Sequence, residues 1–451
     1  MKGFENENVF NELAEKVKSR KMIDNELYAK YQVKRGLRDL NGEGVVAGLT
    51  AVSDVVAKKV VDGVKVPCEG ELYYRGVNVK DIVYSSGLDR FRFEEAAYLL
   101  LFDELPTKER FEEFKALLAE LRKLPKNFVR DVILKAPSKD IMNSLARSVL
   151  TLYSYDHHGM DISQENVLAQ CLRLISVFPM FSVYAYQAHM HYDRNASLII
   201  HKPESELSIA ENILRMMRQS GEFTELEAKV LDVALILHAE HGGGNNSSFT
   251  TRVVSSTGTD TYSAITAALC SLKGPRHGGA NIKVMQMFDD IKHNVKKWSD
   301  EGALRDYLKK MLDGEAFDHS GLIYGMGHAV YSVSDPRADV FKGYVEKLAE
   351  AKGKRKEYKL YTDVERISKE LIMEKRKIYK GVSANVDFFS GFAYSMLGIP
   401  MELYTPIFAV ARVAGWSAHR LEELANASKI IRPAYISLSG RREYVPMDVR
   451  N

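Results

Sequence analysis

Apolar and polar positions follow two different periods along the chain. The period typical of strands is found between Val55 and Tyr74, where Asp62-Gly63 lies between β-branched residues. An Asp-Gly pair in this setting is the strongest short-range signal for a hairpin. The pattern therefore predicts one small β-hairpin region near the N-terminus.

Helical spacing dominates from Phe93 onward. Behind a Pro106-Thr107 start signal, apolar residues recur every three or four positions up to Leu121, which is typical of an amphipathic helix. Further patterns of this kind predict helices over residues 141–152, 210–217, 225–237, 261–272 and 404–425. The first 40 residues, charged with scattered apolar positions, predict one or two amphipathic helices. The expected fold class is mainly α.

Four breaks interrupt the helical patterns. They are rich in Gly with Asn or Pro, and they span residues 242–248, 274–281, 325–327 and 398–400. Binding sites are commonly built on loops at helix ends, so these breaks are where chemistry is expected.

Composition narrows the class of protein. A chain of 451 residues can form two lobes around a cleft, and its 45% apolar and 27% charged residues are typical of a compact globular protein. The 63 basic and 60 acidic residues leave a net charge of only +3. Nucleic acid is therefore not an expected partner, because its binding usually needs a concentrated basic face.

Cysteine usage and the first residues bear on the location of the protein. Cys68, Cys171 and Cys270 form no C-x-x-C pair, so we expect reduced core thiols. The first 20 residues lack the apolar segment of a signal peptide, and no run of 18 apolar residues predicts a membrane span. We expect a cytoplasmic protein without a membrane partner.

Three histidines stand beside glycines, namely His241, His277 and His328. Glycine allows close approach of the backbone, so a histidine in such a loop can face a ligand. A lone histidine is more often a hydrogen-bonded structural residue, but three glycine-flanked copies favour a site.

A metal site and a dinucleotide site are the alternatives to this interpretation. His238 and His241 are spaced to hold a metal, but the zincin pattern H-E-x-x-H is absent because Glu240 directly precedes His241. We assign His238 to packing and predict no metal. The Gly-x-Gly at 325–327 lacks the full dinucleotide motif.

Arginines supply candidate anion contacts at Arg337, Arg412 and Arg432. Arg412 lies among apolar residues, where an unpaired guanidinium would be costly. We therefore expect it to have a buried or bound anionic partner, and two or three such arginines would suit a dicarboxylate.

Ordered motifs between Gly70 and Tyr435 resemble those of the citrate synthase family. They are ELYYRGVNV with the following EEAAYLLLFDELPT, H-x-x-H-GGGN, KGPRHGGAN, GHAVY-x-x-x-DPRA, NVDFFSG, ARVAGWSAH and IIRP. The resemblance implies a two-domain, citrate-synthase-like helical homodimer. Its large domain would span residues 1–278 and 399–451, and its small domain residues 279–398.

The resemblance also implies an activity and its catalytic residues. An acyltransferase of this family condenses acetyl-CoA with oxaloacetate and hydrolyses the product to citrate and CoA, as in the tricarboxylic acid cycle. Acetyl-CoA would be a co-substrate, with no permanently bound cofactor and no metal. Asp387 would remove a proton from the acyl methyl group, His277 would donate to the enol oxygen, and His328 would polarise the ketone.

The implied binding residues fall into two groups. For oxaloacetate they are Arg337, Arg412, His241, Asn245 and Arg432, the last from the partner subunit. For CoA they are the backbone of Leu322–Gly327, including Leu322, Gly325 and Gly327, with Arg38 and Lys380 as phosphate contacts.

Two other functions stay open at the level of sequence. The same reaction with propionyl-CoA would make the protein a 2-methylcitrate synthase, because one methylene in an apolar pocket discriminates weakly. From another class, a catalytically inactive CoA- or metabolite-binding helical protein could keep the arginines without the base. The presence of His277, His328 and Asp387 together favours an enzyme.

Overall fold

The structure is a computed structural model that describes residues 7–20, 22–39, 42–85, 92–327, 330–376, 381–426 and 429–450. Helix accounts for 59% of it and strand for 6%, which confirms the prediction of a mainly α fold. The chain divides into two compact units, Met1–Leu49 and Thr50–Asn451.

The first unit contains two helices, α1 (Glu7–Lys18) and α2 (Asn25–Lys30). Asp24 caps the start of α2, because its side chain accepts a hydrogen bond from the otherwise unpaired Glu26 N–H. The apolar residues of α1 are spaced three or four apart. The prediction of one or two amphipathic helices here is confirmed.

A three-stranded antiparallel sheet opens the second unit. Strands β1 (Ser53–Val61) and β2 (Val64–Tyr74) are joined at Asp62-Gly63, and β3 (Val77–Asn78) pairs with the end of β2. Both turn residues have positive φ, 51° and 78°, as a two-residue type I′ turn requires. The predicted hairpin is confirmed, and the short third strand extends it.

The rest of the second unit is mainly helical, apart from its connections and the C-terminal tail. The helices are α3 (Val79–Tyr84), α4 (Phe93–Phe102), α5 (Lys108–Leu121), α6 (Ile141–Leu152), α7 (Gln164–Arg194), α8 (Ile209–Met217), α9 (Glu225–His238), α10 (Asn246–Ser255), α11 (Thr261–Leu272), α12 (Ala280–Asn294), α13 (Glu301–Leu312), α14 (Pro336–Ala351), α15 (Arg355–Arg376), α16 (Asp387–Met396) and α17 (Tyr404–Asn426). The helices predicted over 141–152 and 261–272 have the same bounds in the structure.

Two predicted breaks extend too far, since residues 280 and 281 of the break 274–281 belong to α12 and the break 242–248 also overlaps a helix. Residues 242–248 were expected to be a loop, yet α10 already begins at Asn246. The reason is the Asn245 side chain, which accepts from Ser247 N and so caps the new helix.

The core is organised around the long helix α7, which packs against α6, α8 and α17. By length and composition alone α7 could cross a membrane, but 83% of its most apolar window is buried inside the protein. It is therefore the central core helix of this unit.

The three cysteines are free and differ in exposure. Cys171 on α7 is buried, Cys68 is half-buried, and Cys270 is exposed on the outer face of α11. The expectation of core thiols is therefore correct for Cys171 and wrong for Cys270.

The predicted domain boundaries fall in connections between helices. Residues 278 and 279 lie between α11 and α12, and residues 398 and 399 lie between α16 and α17. The division into large and small domains stays a prediction.

Candidate active site

One face of α17 organises the candidate site. Arg412, Gly415, Trp416 and His419 are spaced so that they share this face, and all but the glycine have fully buried side chains. The face packs on residues 238–247. A Cβ at Gly415 would lie 2.3 Å from Glu240 Oε2, so only glycine allows the helix to come this close.

Arg412 presents a buried, incompletely paired cation. Its Nε donates to the His238 carbonyl at 2.7 Å, and its guanidinium lies 4.7 Å from the centre of the Phe408 ring. Neither Nη1 nor Nη2 has a hydrogen-bond partner among the described residues. Burial lowers the pKa of Arg412 to about 10, so it is charged at neutral pH. A guanidinium in this state is poised to bind an anion.

Arg337 is a second buried cation, and its charge acts on both Arg412 and Asp387. It follows Asp335-Pro336 at the start of α14, and its Nε and Nη2 donate to the Asp335 carboxylate at 3.0 and 2.8 Å. Burial opposes its charge, but Asp335 outweighs burial and raises the pKa of Arg337. The positive charge of Arg337 in turn helps to lower the pKa of Arg412, because the two cations repel each other.

Asp387 supplies the carboxylate of this region. It is the first residue of α16, and its N–H donates to Asn385 Oδ1 at 3.1 Å. Burial raises the pKa of Asp387 to about 6, while Arg337 and Arg412 oppose the shift and Asp335 adds to it. The carboxyl group is thus a stronger base than an exposed aspartate and is still largely ionised at pH 7.

His277 lies in the tight turn between α11 and α12. Its Nε2 is 3.1 Å from Ser247 Oγ, and Ser247 Oγ accepts from Trp416 Nε1 at 3.1 Å. Burial lowers the pKa of His277 to about 4, and Arg412 adds to the shift, so the imidazole is neutral at pH 7. The residue borders an open cavity of about 510 Å³, lined also by Asn246, Ser271, Gly274, Pro275 and Arg276.

His241 and Asn245 flank the glycine loop before α10. His241 is buried, and its ring stands edge-on to Tyr331 at 5.5 Å. The Oδ1 of Asn245 caps α10 by accepting from the Ser247 N–H, and it also lies 3.0 Å from the Ser247 hydroxyl. In the structure Asn245 therefore serves as the N-cap of α10, and its contact with substrate stays a prediction.

The segment Leu322–Gly327 is tied to the residues that lead into Asp387. Gly327 N donates to Ser383 O at 2.8 Å, and Asn385 N donates to Gly325 O at 2.9 Å. Gly325 and Gly327 have φ of 78° and 81°, which side chains rarely adopt. The predicted CoA segment and the predicted base therefore belong to one hydrogen-bonded unit.

Four other predicted site residues are described by their own surroundings or lie outside the described ranges. Arg38 lies in the first unit, where it donates to the Gly42 carbonyl at 2.7 Å. Arg432 is exposed in the irregular C-terminal tail. His328 and Lys380 lie outside the described residues. Within the part of the chain that is described, no group of acidic, His or Cys side chains could hold a metal.

Sequence reasoning missed the residues that support the site, namely Ser247, Trp416, Asp335 and Glu240. Two signals were available. Asp335-Pro336 is a helix-start pattern, and Trp416 and His419 follow Arg412 at helical spacing. The contacts that these residues make with distant segments of the chain leave no pattern in the local sequence.

Comparisons with known proteins agree on one family. Residues 37–434 match the family described as "Citrate synthase, C-terminal domain". A citrate synthase of Synechocystis sp. is 35% identical over 432 residues, 95% of this chain and 96% of that protein. A 2-methylcitrate synthase of Shewanella oneidensis is 35% identical over 373 residues, 82% of this chain and 90% of that protein.

Solved structures show the same likeness. The citrate synthase of Thermoplasma acidophilum, solved as a ternary complex with carboxymethyl coenzyme A and oxaloacetate, is 29% identical with a TM-score of 0.76. The alignment covers 93% of this chain and 99% of that one. The citrate synthase of Pyrobaculum aerophilum is 28% identical with a TM-score of 0.74, over 91% of this chain and 95% of that one.

Proposed function

This chain belongs to the citrate synthase family, and on that premise we propose that Arg412, Arg337, Asp387 and His277 form its active site. The enzyme condenses acetyl-CoA with oxaloacetate. A bond forms between the acetyl methyl carbon and the ketone carbon, and hydrolysis of the thioester releases citrate and CoA. The observation that carries the assignment is the buried, partly unpaired guanidinium of Arg412 beside a carboxyl group of raised pKa.

Oxaloacetate would bind through the two buried arginines. The free Nη groups of Arg412 suit one carboxylate, because a guanidinium binds a carboxylate through two parallel hydrogen bonds. Arg337 is fixed by Asp335 and adds positive potential to the same region. His241 and Asn245 remain proposed contacts, and His328 is proposed to polarise the ketone.

Asp387 is proposed to remove the proton from the acetyl methyl group. A thioester α-carbon is a weak acid, so transfer to a carboxylate requires hydrogen bonding to the developing enol oxygen. Burial helps here, since raising the pKa of Asp387 to about 6 raises its basicity without protonating it at pH 7. The accepted proton would reside on the Asp387 carboxyl group until a later step returns it.

His277 is proposed to donate to that oxygen as a neutral imidazole. Ser247 Oγ accepts the indole N–H of Trp416, and its one hydroxyl proton lies within reach of both Asn245 Oδ1 and His277 Nε2. The proposed role requires that this proton be donated to His277 Nε2 rather than to Asn245. Nε2 then accepts, and the ring proton must be on Nδ1, where it can reach the thioester oxygen. This tautomer is the one that the proposed role requires.

The CoA moiety is proposed to lie along the backbone of Leu322–Gly327. Gly327 leaves that backbone uncovered, because a Cβ there would meet nothing within 4 Å, and hydrogen bonds to residues 383–385 fix the segment relative to Asp387. Arg38 and Lys380 remain proposed contacts for the phosphates.

We propose acetyl-CoA as the preferred acyl substrate, because the 35% identical citrate synthase of Synechocystis covers more of the chain than the equally identical 2-methylcitrate synthase. Assays of CoA release should give a kcat/KM for acetyl-CoA about tenfold or more above that for propionyl-CoA, with oxaloacetate present. The inverse ratio would make the protein a 2-methylcitrate synthase. No oxaloacetate-dependent release of CoA would favour the inactive binding protein instead.

A cytoplasmic homodimer is proposed as the working form. The tail over residues 429–450 is irregular and exposes apolar side chains such as Ile430 (62%) and Tyr435 (94%). Covering these side chains with a second copy would stabilise the tail and carry Arg432 to the partner's cleft. The free cysteines suit a reducing compartment.

Subunit sharing predicts complementation between two impaired variants. Arg432→Ala is expected to lower kcat/KM for oxaloacetate about 10²-fold, because one charged contact is worth about 1.5–3 kcal/mol. A heterodimer of Arg432→Ala with Asp387→Asn has one site with both residues intact, so verified heterodimers should recover up to half of the wild-type activity per dimer. Recovery absent from such heterodimers would place Arg432 in its own subunit's site or outside any site.

A further inference from the structure

Glu240 is a fully buried carboxylate next to the proposed dicarboxylate site. Its Oε1 accepts from Ser53 Oγ at 3.1 Å and from His419 Nε2 at 2.9 Å. Its Oε2 lies against Gly415 and has no hydrogen-bond partner among the described residues. Burial works to raise the pKa of Glu240, but His419, Arg412 and Ser53 outweigh it and lower the pKa. The carboxylate is therefore ionised whenever the enzyme works.

The link from His419 to Arg252 fixes Glu240 in this state. Arg252 Nη2 is 2.8 Å from His419 Nδ1, and an arginine can only donate, so Nδ1 must accept. The proton of the neutral ring is then on Nε2, which donates to Glu240. Arg252 is itself paired with Glu422 and Glu423. Within the part of the chain that is described, Glu240 is thus a negative charge that no cation contacts directly.

Glu240 acts on Arg412 through charge rather than through a hydrogen bond. Among the described atoms, the free oxygen of Glu240 and the free Nη groups of Arg412 do not contact each other. The guanidinium is oriented separately, by the His238 carbonyl and the Phe408 ring. Neutralising Glu240 would therefore change the electrostatic potential at Arg412 while leaving its geometry in place.

We infer that Glu240 is a built-in counter-charge that limits the affinity of the Arg412 site for oxaloacetate and for the product citrate. The inference rests on the proposed role of Arg412 in carboxylate binding. In the empty enzyme Glu240 offsets the buried cation, and in the complex it repels the bound carboxylates. Citrate carries one carboxylate more than oxaloacetate and is repelled more strongly, which favours its release.

Glu240→Gln tests the inference with an isosteric side chain. The amide oxygen can still accept from Ser53 and His419, so the network is kept and only the charge is lost. Calorimetric titration should show citrate binding about tenfold tighter and oxaloacetate binding tighter by a smaller factor. The kcat should fall together with stronger product inhibition by citrate. A purely structural Glu240 would instead give unchanged or weaker binding, and that result would overturn the inference.

Two further variants separate the possible failures. Glu423→Gln removes a carboxylate from the same network, but on α17 it lies 11 residues from Arg412, roughly 16 Å along the helix. It should leave citrate affinity within about twofold. If Arg412→Met does not weaken oxaloacetate binding, the site assignment itself is wrong. If it does weaken binding while folded Glu240→Gln does not tighten it, only the counter-charge inference is wrong. Should Glu240→Gln fail to fold, Glu240→Ala removes the same charge.

Discussion

Asp387→Asn is expected to lower kcat about 10³-fold, because the amide cannot accept the methyl proton and general-base catalysis contributes on this order. The fold should persist and become more stable, since a carboxyl whose pKa is raised on folding destabilises the native state above that pKa. Oxaloacetate should bind at least as tightly, because a negative charge beside Arg337 and Arg412 is removed. Calorimetry and thermal unfolding check binding and stability, and CoA release checks turnover.

Asp289→Asn provides the control for this variant. Asp289 is an exposed carboxylate on α12, and its replacement should leave kcat unchanged. A near-normal kcat for Asp387→Asn would remove Asp387 from its proposed role. Wild-type kcat/KM for acetyl-CoA, measured at subsaturating oxaloacetate, should fall below pH 6 as the base becomes protonated. If the acid limb of this pH profile instead had its midpoint near the ordinary aspartate pKa, burial would not be raising the pKa of Asp387.

Local signals explain why much of the fold was predictable from sequence. The hairpin follows from Asp62-Gly63, whose residues tolerate the positive φ of the turn. Asp140 and Asp260 directly precede α6 and α11 and cap them, because their side chains accept from backbone N–H groups of the first helical turn. At the Asn245 cap, a signal that the break 242–248 does not take into account, the predicted loop extends three residues too far.

The site was predictable only as a set of motifs. The residues around His277, Asp387, Arg337 and Arg412 are recognisable, and the structure places these four in overlapping electrostatic surroundings. What the motifs cannot supply is how distant segments meet. Arg412 Nε and the His238 carbonyl are 174 positions apart, and their contact depends on Gly415 allowing α17 to pack on residues 238–247. The coupling of Glu240 to Arg412 arises from that packing alone.

Arg412→Met is expected to lower kcat/KM for oxaloacetate about 10³-fold, because it removes two charge-assisted hydrogen bonds of about 1.5–3 kcal/mol each. Methionine keeps the apolar stem and its contact with Phe408, so the loss is that of the guanidinium. The KM for acetyl-CoA, measured at saturating oxaloacetate, should change much less. An unchanged kcat/KM for oxaloacetate would place its carboxylates elsewhere.

The stability of Arg412→Met should show whether Glu240 and Arg412 stabilise each other in the folded protein. Once Arg412 is gone, Glu240 remains as a buried carboxylate without its counter-charge, so the free energy of unfolding should fall by up to about 3 kcal/mol. Adding Glu240→Gln should restore most of that loss without restoring oxaloacetate turnover, because it removes the uncompensated charge but not the missing donors. Chemical denaturation of the single and double variants measures the coupling. Additive losses of stability would mean that the two charges do not interact across the packed face of α17.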